Sequence, residues 1–239
     1  MSTGQRLALD RLRRFSYYGL ACGAGAAILA CAAGIASIAP ENLAPAAGEA
    51  ARAWQAQFVP DGYRRFELRW RFFTPKGSTA GRAVVRIAPP DSLRFDYRGP
   101  FGRSGAAVLL GDSVAWAEPE KDVRELIPLA PLFWAAMGVP LAPSGSSTIL
   151  TREHADWRAW RVIAAGDTLD LVHFPQGPAR LLTQLRKEGI AAATEVRFGA
   201  VGVPTRGEIR FPREGAAFIF TVERVDSTAI FDAATWRRP

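Results

Sequence analysis

The side chains best suited to covalent or acid–base chemistry are few: two cysteines, Cys22 and Cys31, and two histidines, His154 and His173, in 239 residues. Both cysteines fall within the first 31 positions. Cys31 follows Ile28-Leu29-Ala30, a small residue closing an apolar run, and Arg6, Arg11, Arg13 and Arg14 precede that run. A basic end, an apolar stretch and a small residue before a cysteine form a lipoprotein export signal, in which the thiol accepts a lipid and becomes the new N-terminus. The histidines carry no comparable signal. His154 lies in the polar run Thr151-Arg152-Glu153-His154, and His173 ends a strand-like stretch beside Phe174. Neither adjoins a nucleophile elbow, a metal-ligand cluster or a phosphate loop, and the carboxylates sit in turns or alternate with apolar residues. The expectation is a non-enzymatic protein with no metal and no cofactor.

The leader leaves alternatives open. Phe15 to Pro40 is 26 residues without a charge. That exceeds the usual ~7–15 of a signal core and suffices to cross a bilayer of ~30 Å as a helix. Lipidation at Cys31, an uncleaved anchor, lipidation at Cys22 and ordinary cleavage are all compatible with it. Each exports the residues from about 40 onward and leaves them beside a membrane.

With both cysteines in the leader, the exported part has no disulfide and must be stabilised by burial. Of the formal charge of +7, four arginines belong to the leader, and the remainder is only mildly basic. No basic run marks a nucleic-acid surface. The expected division is a signal or anchor at 1–40, a linker helix at 41–60 and one domain at 61–239. In the helix, Asn42 is the expected cap, Pro45 suits the first turn, Pro60 closes it, and Ala50, Trp54 and Phe58 share a face.

From Arg65 the period becomes two. Phe66, Leu68, Trp70 and Phe72 alternate with Arg65, Glu67, Arg69 and Arg71, the pattern of a strand with one wet face. Similar runs at 80–88, 93–98, 104–110, 113–118, 157–165, 168–174, 179–187, 193–199, 205–212 and 217–226 are separated by Gly-, Pro- and Asp-rich turns. About eleven antiparallel strands result, with an apolar insertion at 126–137 that Pro131 can open as a helix and Gly138 can close. A meander with one apolar face must curl to bury it. The expected fold is mainly β, an incomplete antiparallel barrel closed by short helices. The inward residues Leu68, Trp70 and Phe95, with Trp134 from the insertion, are the expected lining of an apolar cavity. Phe101, between Pro100 and Gly102, either folds back onto the barrel mouth or stands out as a membrane or partner contact; the expectation is an exposed loop tip that acts in transfer to a membrane.

An ordered set of short motifs resembles the LolA/LolB superfamily of bacterial lipoprotein carriers and receptors, and within it the LolB receptors. The strand Leu93 to Arg98 leads into Pro100-Phe101-Gly102 and then Ala106-Ala107-Val108-Leu109-Leu110. Ile127-Pro128-Leu129, Phe133-Trp134 and Gly138-Val139-Pro140 follow. Trp157 to Val162 and Val203 to Ile209 complete the order over residues 65–226. The resemblance implies an apolar cavity for lipoprotein acyl chains, helices over the barrel mouth and an exposed apolar residue in the Pro-x-Gly loop. That position matches Phe101, where the family typically has Leu. It further implies a monomer that takes acylated cargo from a soluble periplasmic carrier and passes it to a membrane; for a lipidated chain in a Gram-negative cell, Ala32 rather than Asp after Cys31 implies the outer membrane and its periplasmic face. A non-transport envelope scaffold or sensor, and a secreted hydrolase, are the competing expectations.

Overall fold

The computed structural model describes residues 40–238 apart from 122, 124–129, 142–146 and 201. Cys22, Cys31, the rest of the leader and Ile127-Pro128-Leu129 therefore lie outside the described residues.

Thirteen strands form one antiparallel sheet. They are β1 Ala44–Pro45, β2 Arg64–Thr74, β3 Gly77–Ala88, β4 Ser92–Arg98, β5 Ser104–Leu110, β6 Ser113–Glu118, β7 Thr148–Glu153, β8 Arg158–Ala164, β9 Asp167–Phe174, β10 Arg180–Arg186, β11 Ile190–Phe198, β12 Pro204–Phe211 and β13 Ala216–Asp226. Consecutive strands pair as hairpins from β2 to β6 and from β7 to β13. The two meanders join where β13 lies beside β2, with Phe220 opposite Trp70. The order runs β1-β7-β8-β9-β10-β11-β12-β13-β2-β3-β4-β5-β6, so β1 and β6 are free edges and the barrel stays open.

The alternation read in β2 is realised: Phe66, Leu68, Trp70 and Phe72 are buried and the intervening arginines face out. Glycines let the sheet curl over its aromatic rings. A Cβ on Gly81 would stand 2.7 Å from the Trp70 ring, and one on Gly207 2.2 Å from Phe220. These positions admit rings where any side chain would collide.

Two strands exceed the eleven expected. β1 is two residues long and contains Pro45. β7 is half-buried on both faces, so it shows no clean alternation. The helix at 41–60 is shorter than expected: α1 spans Gly48–Ala56, its N-cap is Ala47 without a side-chain cap, and Pro45 is in β1. Asn42 instead adopts a left-handed φ of 55°. Ala51, not Ala50, shares the inner face with Trp54, and Trp54 packs on Trp160 at 5.8 Å between ring centroids. The helix expected as a linker is thus part of the core.

The second helix, α2 Ala130–Ala136, is buried along almost its whole length. Gly138 ends it at φ 84°. Phe133 of α2 meets Phe95 of β4 edge-on at 5.2 Å, and Phe95 meets Phe218 at 6.3 Å. The C-terminal segment lies on the outer face of β4 and β6. Arg94 Nη1 donates to the Thr235 carbonyl at 2.5 Å, and Trp116 Nε1 donates to that of Trp236 at 3.0 Å.

Candidate functional site

A cleft of ≈820 Å³ runs past Leu68, Ala83, Tyr97 and Ala106, with Glu67, Arg82, Asp96 and Glu118 also on its wall. Two further places combine apolar surface with access to solvent. The first is a cleft of ≈510 Å³ at the mouth of the open sheet. One wall is the turn after α1, with Phe58 and Val59; another is the end of α2, with Met137 and Val139. The sheet supplies Phe66, Ile87, His173 and Phe198. These residues converge because the ends of β3, β9 and β11 and the start of β2 meet below the helices. The bulge between Arg197 and Phe198 shifts the β11–β12 register at this rim.

His173 is the titratable group set among the rings of the cleft. Phe58 meets it edge-on at 4.9 Å and Phe198 at 6.4 Å. Burial, and then the Arg158 guanidinium on the opposed strand, hold its pKa below the ordinary 6.5. The neutral ring is favoured, and the wall behaves as an apolar surface. No group of three His, Cys, Asp or Glu side chains suited to a metal is present among the described residues.

The second place is the β4–β5 turn. Pro100–Gly102 is one short 3₁₀ turn, closed by Gly99 N–H donating to the Arg103 carbonyl at 2.7 Å and Arg103 N–H donating to that of Pro100 at 3.2 Å. Phe101 sits at φ 55°, ψ 33°, a left-handed conformation unusual for an aromatic residue, and its side chain is fully exposed. Beneath the turn, Trp70 donates from Nε1 to the Arg82 carbonyl at 3.1 Å, and its ring lies near the Gly99 position. Trp70 and Pro100 border a small cleft of ≈270 Å³ that also reaches Lys76 and Arg103.

Leu68, Trp70, Phe95 and Trp134 do not share one cavity wall. All four are at most 3% exposed. Phe95 lies in the packed aromatic interior, and Trp134 is fixed by its Nε1 donating to the Gly111 carbonyl at 2.8 Å. None of the four lines the cleft under α1. The residues that do line it come chiefly from the turn after α1, the end of α2 and the strands β2, β3, β9 and β11, and no spacing in the sequence brings them together.

No protein-family model matches the sequence, and no curated protein matches it at the sequence level. Solved structures do resemble it. A LolA superfamily protein from Nitrosomonas europaea superposes with a TM-score of 0.52 at 10% identity, covering 81% of this chain and 99% of that one. A domain described as outer membrane lipoprotein-sorting, from Vibrio parahaemolyticus, gives a TM-score of 0.43 at 7% identity over 79% and 94% of the two chains. The fold is LolA/LolB-like: one open antiparallel sheet curled beneath short helices.

Proposed function

We propose that the protein is a membrane-tethered acceptor of acylated cargo, a lipoprotein or a lipid, which it holds at the mouth of its open barrel and passes to a membrane. The observation that carries this reading is the cleft under α1. Its apolar side chains, Phe58, Val59, Phe66, Ile87, Met137 and Phe198, stand beside Gln57, Asp61 and Arg64, its volume lies within the ~300–1,000 Å³ usual for ligand sites, and it opens at the mouth of the sheet. Each methylene taken from water contributes about 0.8 kcal/mol. A partly open cleft therefore holds an acyl chain firmly enough to cross an aqueous space and loosely enough to surrender it to a bilayer. Phe101 supplies a contact for that last step. Burying one Phe contributes roughly 1.5–3 kcal/mol, which suits reversible docking.

The leader places this work outside the cytoplasm, on a lipid at Cys31 or on the apolar segment itself. Ala32 favours the periplasmic face of the outer membrane, and a soluble periplasmic carrier is the natural donor of cargo. No step of this activity requires covalent chemistry on the cargo.

The test is binding of a fluorescent fatty acid and of a diacylated peptide by the full chain. Phe198→Glu puts a charge into the cleft and should weaken binding at least tenfold; Leu68→Glu, in the packed interior, should instead unfold the protein. Wild-type protein that binds neither probe overturns the reading. One observation favours a second reading, an envelope scaffold or sensor on the same fold: the interior around Phe95, Phe133 and Phe218 is filled with rings. Absence of acyl binding together with retained membrane docking would select it.

A further inference from the structure

The part of the sheet that leads into the Phe101 turn also carries a row of like charges. In the β2–β3–β4 register, Arg69 lies opposite Arg82, and Arg82 lies opposite Arg98. All three are on the outer face and exposed. Like charges directly opposite one another destabilise a sheet. One carboxylate, Glu223, is shared between two of them, 2.7 Å from Arg69 Nη2 and 4.0 Å from Arg82 Nε. Arg98 has no carboxylate partner among the described residues.

The next outer row inward is different. Glu67, Asp96 and Glu118 lie in register on β2, β4 and β6, and each is paired with an arginine. Opposed arginines recur on the outer face, as Arg65, Arg86 and Arg94 on the same three strands and as Arg180, Arg197 and Arg206 on β10–β12; the Arg69–Arg82–Arg98 row is set apart by its place next to the Phe101 turn. Arg98 is followed directly by Gly99-Pro100-Phe101. The small cleft below that turn adds Lys76, with the hydroxyl-bearing Thr74, Ser78 and Thr79.

An aromatic wedge beside a row of opposed cations fits a surface that is apolar within and negative at its face. We infer that this rim is a docking surface for anionic bilayers, with Phe101 entering the acyl boundary and Arg69, Arg82, Arg98 and Lys76 facing lipid phosphates. The inference rests on reading Phe101 as a membrane contact, and it adds that the receiving membrane is selected by headgroup charge. Cations near such a surface act over a Debye length of about 8 Å at physiological salt, so the row guides the approach and the ring completes it.

The experiment uses the full chain held in phosphatidylcholine vesicles. Sucrose-loaded acceptor vesicles of phosphatidylcholine alone, or with phosphatidylglycerol, are added and pelleted, and the protein carried down is counted. Capture should be several-fold higher on the anionic vesicles and should fall as salt rises. Each arginine replaced should lower it by about fivefold. Arg82→Ser with Arg98→Ser should remove the preference while thermal stability and fatty-acid binding stay unchanged. Arg98→Gln alone, with the wild-type salt titration, answers the question if the double variant is unstable. Equal capture on both vesicle types overturns the inference and points to an acidic protein partner instead; a double variant that keeps its preference overturns it as well. Fatty-acid binding on the same samples separates the two ideas. Anionic capture without acyl binding sinks cargo transfer and leaves the docking surface, and the reverse pattern sinks the docking surface alone.

Discussion

Phe101 holds a conformation that costs an L-residue about 1–2 kcal/mol relative to a right-handed one, and it returns no burial for that cost. That cost without burial is what motivates the reading of the ring as an external contact. Phe101→Gly should leave stability unchanged or raise it by up to about 1 kcal/mol in thermal melts. Phe101→Glu should stay within about 0.5 kcal/mol of wild type and slow acyl transfer to acceptor vesicles. A large loss of stability in either variant would show that the ring has a partner in the fold. His173 gives the second expectation at this scale. Its folded pKa lies below the unfolded value near 6.5 because burial and Arg158 oppose the charge. Above pH about 6.5 both states are neutral and stability is undiminished. As pH falls from there through the lowered folded value, the unfolded state binds the proton first and stability declines. The same proton puts a cation between Phe58 and Phe198, with Arg64 and Asp61 on the same cleft and Arg158 opposite. Fatty-acid binding should weaken over that window, and His173→Gln should flatten both curves.

The strands carry a different kind of information. β2 was legible because its inner and outer residues alternate without a break, and Pro131 and Gly138 frame the region of α2. β1 was not legible, since two residues that include a proline have no periodicity. β7 was not either, because neither of its faces is fully buried, so burial imposes no alternation on Thr148–Glu153. The acyl-site residues show a deeper limit. Phe95 in a filled core and Phe198 on a cleft wall obey the same rule, that apolar side chains leave water, and the distinction arises only when β9, β11 and the helices converge. Charge on strands is more explicit. Asp170 of β9 is fully buried, 2.6 Å from Arg161 Nε on β8 and 2.5 Å from Arg186 Nη2 on β10. Arg161 also donates to the Pro40 carbonyl at 3.3 Å, so this carboxylate organises the place where the chain joins the sheet. Asp170→Asn leaves two arginines facing each other without a countercharge, and it should cost about 3–5 kcal/mol, read as a fall in the denaturation midpoint.

At the scale of the whole molecule, an open sheet has to solve two problems, its edges and its exposed inner mouth. The β1 edge is only two residues long, which blunts it as a template for pairing. Beside the β6 edge, the tail bonded to Trp116 covers part of the outer face, so residues beyond the last strand are structural rather than loose. The mouth is left partly open, and on the proposed reading this opening works beside a membrane or around cargo. On that reading the manner of tethering decides what the cleft can reach. A lipid on Cys31 leaves eight residues before Pro40, a reach of at most about 30 Å, so the cleft and Phe101 would work on the membrane that holds the protein. A cleaved, untethered chain would work between membranes. Mass spectrometry of the purified protein should find a diacylglyceryl adduct on Cys31 as its N-terminal residue. Cys31→Ala should abolish labelling by a fatty-acid probe in cells and release the domain from the membrane fraction, while its melting temperature stays unchanged. Labelling that persists in Cys31→Ala and disappears in Cys22→Ala would move the anchor to Cys22. A membrane-bound, unlabelled, full-length chain would show that Phe15–Pro40 is itself the anchor.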